Sequence, residues 1–298
     1  MAVTAAVVSL FNPSRSVLDN AAALLSQTDI VVVVDDGSPH DPSDILAELE
    51  AMGCVVKRLA TNSGIAEALN TGIADALSSE IKPDYILTMD QDSLLDPGYV
   101  AALVDAAKAA TVAGVRVGMV APATIRGLPT RREGTEHGIA LGGEPIQSGL
   151  LVPVPVLEDV GLLRSELFID GVDTEFYLRC RDAGLKAVIA PNAALDHALG
   201  SMTQGRILGV PVSIAGKPLA VRTAATWRYY YIFRNRILLA KDYGRRHFLW
   251  ALKGFLADYR HLAIVSVLAP GRRERLAQAF AGVAAGFAGR TGRRQAAS

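Results

Sequence analysis

Two carboxylates one residue apart, Asp90 and Asp92, follow directly on the apolar run Tyr85-Ile86-Leu87-Thr88-Met89. Carboxylates so crowded repel one another unless a cation or a hydrogen-bond network compensates them. A hard divalent ion with oxygen ligands, itself bound to a diphosphate, is the natural partner. The competing reading has Asp90 capping the following helix and Asp92 simply solvated. A second pair, Asp35-Asp36, ends the β-branched run Ile30 to Val34, and Gly37-Ser38 follows as a tight turn. Farther along, Asp170, Asp173 and Glu175 crowd a helix start, more acid than the helix dipole needs. Asp196-His197 lies just past the apolar run Val188-Ile189-Ala190, and a lone histidine is more often structural than a ligand.

Acids delivered by short apolar runs need strands to carry them. A run with no polar face reads as a strand covered on both sides, as in a parallel sheet between helices. In such sheets ligands meet the carboxyl ends of the strands. The pattern predicts strands at 5–11, 30–34, 54–59, 85–89, 117–120, 147–152 and 188–190. Helices are expected between them, over 44–52, 97–110 and 157–163 among others, giving repeated β-α-β. Asn62-Ser63-Gly64 opens a further helix whose amide end favours phosphate, with Gly64 letting backbone approach a ligand. Asn70 sits inside that helix, where its amide needs a partner. Residues 126–144, rich in Gly, Thr, Arg and Glu, read as a mobile loop over the site.

The chain has 298 residues and a formal net charge of +0, which hides a split. Residues 1–216 carry 14 Lys and Arg against 27 Asp and Glu, net −13; residues 217–298 carry 16 against 3, net +13. These two stretches are read as an acidic catalytic domain and a basic region of amphipathic helices over 226–243, 248–267 and 273–287. Half of the residues are hydrophobic and a fifth charged, which excludes general disorder. Cys54 and Cys180 lack metal-ligand spacing and read as buried thiols of a reducing compartment. Met1-Ala2-Val3-Thr4 opens into a strand-like run without a basic leader, so no signal peptide is expected. No apolar run reaches the ~18 residues that span a bilayer.

Seven stretches, collinear over roughly residues 5–240, resemble inverting glycosyltransferases of family 2 with the GT-A fold, most closely their bacterial rhamnosyltransferase branch. They are Val33-Val34-Asp35-Asp36-Gly37-Ser38, Asn62-Ser63-Gly64-Ile65-Ala66, Asn70-Thr71-Gly72, Asp90-Gln91-Asp92-Ser93, Gln147-Ser148-Gly149, Phe168 to Phe176, and Tyr229 to Asn235. His197 accompanies them. The resemblance implies a Rossmann-like, mostly parallel sheet flanked by helices, with a C-terminal helical region. It implies a nucleotide-sugar donor, dTDP-rhamnose, whose base meets Asp35 or Asp36 and backbone near Phe11. Asn62, Gly64, Asn70, Gln91, Ser148 and Gly149 fall in the matching donor-binding stretches. Asp90 and Asp92 then hold ribose and a Mg2+ or Mn2+ on the diphosphate, with His197 as a third metal ligand in some relatives. Asp173 aligns with the catalytic base. The usual acidic pair before that base is here Val172-Asp173, which leaves Asp170 as a rival.

Other classes fit less well. The Asp90-Gln91-Asp92 strand end also resembles the nucleophile motif of haloacid-dehalogenase-type phosphatases, but three strands precede it. A nucleotidyltransferase would want basic residues in an early Gly-rich loop, and residues 5–20 offer Arg15 alone. A donor such as a UDP-hexose or UDP-galactofuranose, or a non-catalytic carbohydrate- or membrane-binding protein, is the alternative. The acceptor expected is a glycan or a polyprenyl-linked glycan precursor. The basic helices place Trp250, Leu252, Phe255, Leu256 and Tyr259 among Arg and Lys, suiting a membrane surface better than nucleic acid. Packing on the acidic domain, or on a second subunit in a homo-oligomer, would use the same charges. The location expected is the cytoplasm, peripherally at the inner face of the cell membrane.

Overall fold

The computed structural model describes residues 2–197, 201–207, 210–214 and 216–294. They divide into two compact units, Met1–Ser165 with Val172–Ala198, and Glu166–Gly171 with Leu199–Ser298.

The first unit is a sheet that joins, among the described residues, 11 strands. These are β1 (Thr4–Leu10), β2 (Ile30–Asp35), β3 (Val55–Arg58), β4 (Tyr85–Asp90), β5 (Ser93–Leu95), β6 (Val117–Ile125), β7 (Leu128–Pro129), β8 (Arg132–Glu136), β9 (Ile139–Gly142), β10 (Leu150–Pro153) and β11 (Lys186–His197). The spatial order is β3-β2-β1-β4-β10-β6-β11-β9-β8, with β5 paired to β11 and β7 to β6. From β3 to β4 every neighbour is parallel. β10 runs antiparallel to both β4 and β6, and β11 returns parallel to β6. The centre of the sheet is therefore mostly parallel, interrupted by the reversed β10, while β5, β7 and β9 run antiparallel to the strands they join.

Helices α1 (Ser16–Leu25), α2 (Ser43–Ala51), α3 (Ile65–Ser78), α4 (Tyr99–Val112), α5 (Val154–Val160) and α6 (Val172–Asp182) complete this unit. Val31, Val32, Val33 and Val34 are all buried, so β2 needs cover on both faces. α1 and α2 supply one cover, and α3 packs on β1 and β2 from the other side. Each fully buried valine side chain contributes on the order of 1.5–3 kcal/mol, which is why such a run sits mid-sheet. Gly72 lets α3 come close: a Cβ there would lie 2.4 Å from the Val7 side chain.

Several expectations change: the helix foreseen at 157–163 is α5 at Val154–Val160, and the strands foreseen at 117–120 and 188–190 run on as Val117–Ile125 and Lys186–His197. The stretch 126–144 is not a loop but carries β7, β8 and β9, with Leu141 paired to Val188 of β11. Half-buried Ile139 and Leu141 pack against the core, and ladder bonds satisfy backbone that a loop would leave to water. The strand foreseen at 147–152 begins at Leu150, because Gln147 to Gly149 form a turn with Gly149 at φ 76°.

The second unit holds α7 (Arg228–Tyr243), α8 (Phe248–Leu268) and α9 (Arg272–Phe287), with short ribbons between residues 201 and 223. Tyr229, Tyr230, Tyr231, Phe233 and Arg234 of α7 turn inward. Arg234 is wholly buried, its Nη2 donating to the Leu167 carbonyl at 2.8 Å and its Nη1 to that of Gly292. Its guanidinium also faces the rings of Tyr230 and Tyr231. Asn235 donates to the carbonyls of Ile169 and Asp170 at 2.8 and 2.6 Å. The Tyr229 to Asn235 stretch is thus a clamp on residues 167–170. Among the described residues no helix is long and apolar enough to cross a membrane.

Candidate active site

Parallel pairing brings the strand-end carboxylates to one edge. Leu10 of β1 pairs with Asp35 of β2, and Ser9 with Asp90 of β4. β1 stands between the two acids, so Asp35 and Asp90 are two strand spacings, about 10 Å, apart. Between them the end of β1 is tied down by Gln91. Its Oε1 accepts the Phe11 amide at 2.8 Å, and its Nε2 donates to the Phe11 carbonyl at 3.3 Å. Gln91 thereby engages both backbone groups of Phe11, a contact that the sequence did not reveal, while the Phe11 ring stays exposed.

The Asp35-Asp36 turn is held from within. Asp35 is wholly buried; Ser38 Oγ donates to its Oδ1, and Arg58 Nε lies 3.3 Å from its Oδ2. Ser38 Oγ also accepts the Asn12 amide at 2.7 Å, joining the ends of β1 and β2. Asp36 accepts the amides of Ser63 and Gly64 at 2.6 and 2.9 Å. The start of α3, read from sequence as a cradle for phosphate, has these amides occupied by an internal carboxylate. A side chain fixed there satisfies the cap amide of Gly64 before any ligand arrives. Gly37 makes the turn feasible: its φ is +60°, and a Cβ would lie 2.6 Å from the Asn62 nitrogen.

Asp90 is supported through both of its backbone groups. Its amide donates to Ser148 Oγ at 3.0 Å, Ser148 Oγ meets Ser93 Oγ at 2.7 Å, and Asn20 Nδ2 donates to its carbonyl at 3.1 Å. Ser148, expected beside the donor, is only 2% exposed and serves as a prop under β4. Gly149 plays the same part, its amide bonded to Thr88 and its carbonyl receiving the Tyr99 hydroxyl at 2.7 Å. Burial pushes the Tyr99 phenol well above its ordinary range, so it stays a donor. Asn20 went unnoticed; a polar residue on the buried face of α1 was the available signal. Asp92 is exposed at the rim, and β5 starts at the next residue. His197 pairs through its backbone with Ser93, one residue beyond Asp92; its side chain lies outside the described residues. Among the described residues there is no cluster of three His, Cys, Asp or Glu that could hold a metal ion.

Asn70 is engaged within the protein. Its Nδ2 donates to the Leu163 carbonyl at 2.7 Å and its Oδ1 accepts the Leu163 amide at 3.0 Å. The whole amide is used to hold the chain at 163–165, with Glu67 taking the Ser165 hydroxyl at 2.5 Å.

The three acids near residue 170 separate by partner. Glu175 is buried and pairs with Arg179 at 2.7 Å within α6. Asp170 belongs to the second unit and is gripped by Arg228. Asp173, at the start of α6 in the first unit, is half-buried, with Oδ1 accepting the Thr174 amide at 2.8 Å. It borders a narrow cavity together with Thr88 and Gln147, next to the prop under Asp90. Such an arrangement can hold a cation-bearing anion at β4 and place a carboxylate base on a separate element.

The model of the glycosyl transferase family 2 matches residues 6–141. A dTDP-rhamnosyl transferase, RfbF of Shigella flexneri, is 30% identical over 251 residues, covering 79% of each chain. The chain belongs to glycosyl transferase family 2. As a family 2 glycosyltransferase it shares its GT-A fold with solved structures of low identity. GalNAc-T7, solved with UDP, GalNAc and Mn2+, has a TM-score of 0.53 at 14% identity, over 67% of this chain and 46% of that one. Residues 1–349 of S. aureus TarS, in complex with UDP-GlcNAc, give 0.50 at 14% identity, over 97% and 92%. At such identity these two glycosyltransferases speak to the fold alone.

Proposed function

We propose that this glycosyltransferase moves L-rhamnose from dTDP-rhamnose to a cell-surface glycan or lipid-linked acceptor by a single, inverting displacement. The sugar is carried by one observation, the 30% identity to a dTDP-rhamnosyl transferase over 251 residues. The reaction class is supported by carboxylates gathered at adjacent parallel strand ends. The donor would lie over the ends of β1, β2 and β4, its base toward Phe11 and Asp35-Asp36 and its diphosphate toward Asp90 and Asp92.

Two carboxylates, with phosphate oxygens filling the remaining positions, make a donor set suited to Mg2+ or Mn2+. Asp90 and Asp92 would hold the ion, joined by His197. When bound, the ion offsets the charge that builds on the departing diphosphate. Asp173 takes the proton from the acceptor hydroxyl as that oxygen bonds to the anomeric carbon and the carbon–diphosphate bond breaks. Asp170, engaged by Arg228, is the weaker candidate for that task. Buried Ser148 and Asn20, with half-buried Gln91, keep the ends of β1 and β4 in place while this happens. A polyprenyl-linked acceptor would put the reaction at the inner face of the cell membrane, with the enzyme in peripheral contact.

A thermal-shift panel tests the donor, because a ligand specific to the folded state raises its stability. dTDP and dTDP-rhamnose with Mn2+ are expected to raise the midpoint more than UDP or UDP-sugars. Stabilisation by a UDP-sugar alone would overturn the rhamnose reading.

A further inference from the structure

α8 carries a wide apolar face that the other described residues leave uncovered. Phe248, Leu256 and Val267 are 66%, 63% and 50% exposed, and Leu249, Leu252 and Ile264 are exposed with them. Leu249, Leu252, Leu256 and Val267 recur at i, i+3, i+7 and i+18, one stripe of a helix with 3.6 residues per turn. At 1.5 Å per residue the stripe runs about 27 Å. Monomeric proteins seldom leave so large a contiguous apolar patch without a use. Lys253 and Arg260 stand beside the stripe seven residues apart, both exposed, and Arg245 and Arg246 flank its start.

The structure redraws the face that the sequence suggests. Trp250 is half-buried, its ring under the Arg236 guanidinium at 5.1 Å, and Phe255 is half-buried too. Leu249, Ile264 and Val267 replace them. The opposite side of α8 is packed through Ala251, Leu262 and Val265. The only acid on α8, Asp258, points to that packed side and pairs with Arg236 at 2.7 Å. Beside α8, the ribbon strand Arg206–Ile207 adds one more exposed arginine and isoleucine.

We infer that this face of α8 lies in the headgroup region of an anionic lipid bilayer. Leu and Phe enter the boundary of the acyl chains, and the long Lys253 and Arg260 stems reach back to the phosphates. Charge selects lipid over a second copy of this chain. A two-fold contact presents the same surface twice, and this one offers no unpaired carboxylate of α8 to meet Lys253 and Arg260. The inference deepens the proposed membrane-borne acceptor by naming the surface and the lipid charge, and rests on that reading only for its purpose.

The test is co-sedimentation of the full chain with vesicles of phosphatidylglycerol and phosphatidylcholine, against phosphatidylcholine alone, over a salt series. Binding is expected to the anionic vesicles and to weaken with salt. Leu249→Glu with Leu256→Glu should lower it at least tenfold, as should Lys253→Glu with Arg260→Glu, since basic residues near an anionic surface act together. All these positions are exposed, and an unchanged thermal midpoint with dTDP-rhamnose reports that fold and donor site survive. No sedimentation with either lipid, or binding that the variants leave unchanged, overturns the inference. Concentration-dependent self-association abolished by Leu256→Glu would likewise overturn it, giving the face to a second copy. Vesicle binding alongside a failed donor panel would sink the rhamnose reading and leave this surface standing.

Discussion

Arg228 holds Asp170 through both carboxylate oxygens, its Nε donating to Oδ2 at 3.1 Å and its Nη2 to Oδ1. Asp173, three residues on, stands half-buried at the first turn of α6, its Oδ1 accepting the Thr174 amide at 2.8 Å. The same substitution should therefore do different things at the two sites. Asp173→Asn is expected to lower turnover by roughly 10²–10⁴ while donor binding persists. Asp170→Asn is expected to cost roughly 1–3 kcal/mol of stability through its lost charged hydrogen bonds and to reduce turnover far less. Steady-state kinetics with calorimetry on both variants checks this; the reverse ranking would move the base to Asp170.

The carboxylate pair at the end of β4 gives a metal prediction. Asp92→Ala should lose most turnover and donor affinity together, with little change in melting temperature, because Asp92 is exposed. Chelator should inhibit the unmodified protein, and Mg2+ or Mn2+ should restore it. Full activity in excess chelator would remove the ion from the mechanism.

Asn70 supplies a contrast between a clamp and a ligand contact. Asn70→Ala deletes the bonds to Leu163 and Ser165 and leaves the Leu163 backbone groups without partners. A loss of roughly 2–3 kcal/mol is expected by urea unfolding, with the donor dissociation constant of the folded fraction little changed. A large loss of donor affinity at unchanged stability would return Asn70 to the donor site.

Gly37→Ala tests the turn that carries Asp36. The left-handed φ of +60° and the backbone of Thr61 and Asn62 leave no room for a methyl group. The variant is expected to lose at least ~1–3 kcal/mol and to weaken donor binding as the turn shifts. A neutral melting temperature would show that the turn can open without consequence.

Both cysteines are buried, and burial pushes the Cys54 thiol up to about 11 and that of Cys180 up to about 12. A raised folded-state value means that the unfolded chain releases its proton first as pH rises. The thiols' contribution to stability is thus whole below about pH 9 and declines through pH 11–12. Alkylation at pH 8 should leave both thiols intact in the folded protein and modify both in urea. Rapid native-state labelling of either would contradict the burial.

Legibility in the sequence followed the locality of the cause. Val31 to Val34 demand burial on two faces wherever they stand, and Ala66, Leu69 and Ile73 mark the packed side of α3, so these elements read correctly. The three C-terminal helices fell within about two residues of their observed ends for the same reason. Reading failed at 126–144, where Gly and charged residues look like a loop until pairing with β11 supplies their hydrogen bonds.

By itself the sequence determined which carboxylates arrive at strand ends, since alternation and apolar run length dictate where a strand stops. Asp35, Asp36, Asp90 and Asp92 were visible on that ground. Tertiary structure alone decided what each polar group spends its hydrogen bonds on. Asp36 turned to the amides of Ser63 and Gly64, Ser148 went beneath Asp90, Gln91 closed on Phe11, and Asp170 met Arg228. Those partners lie 27, 58, 80 and 58 residues apart. A buried polar group must find a partner, but only the folded chain brings one within 3 Å.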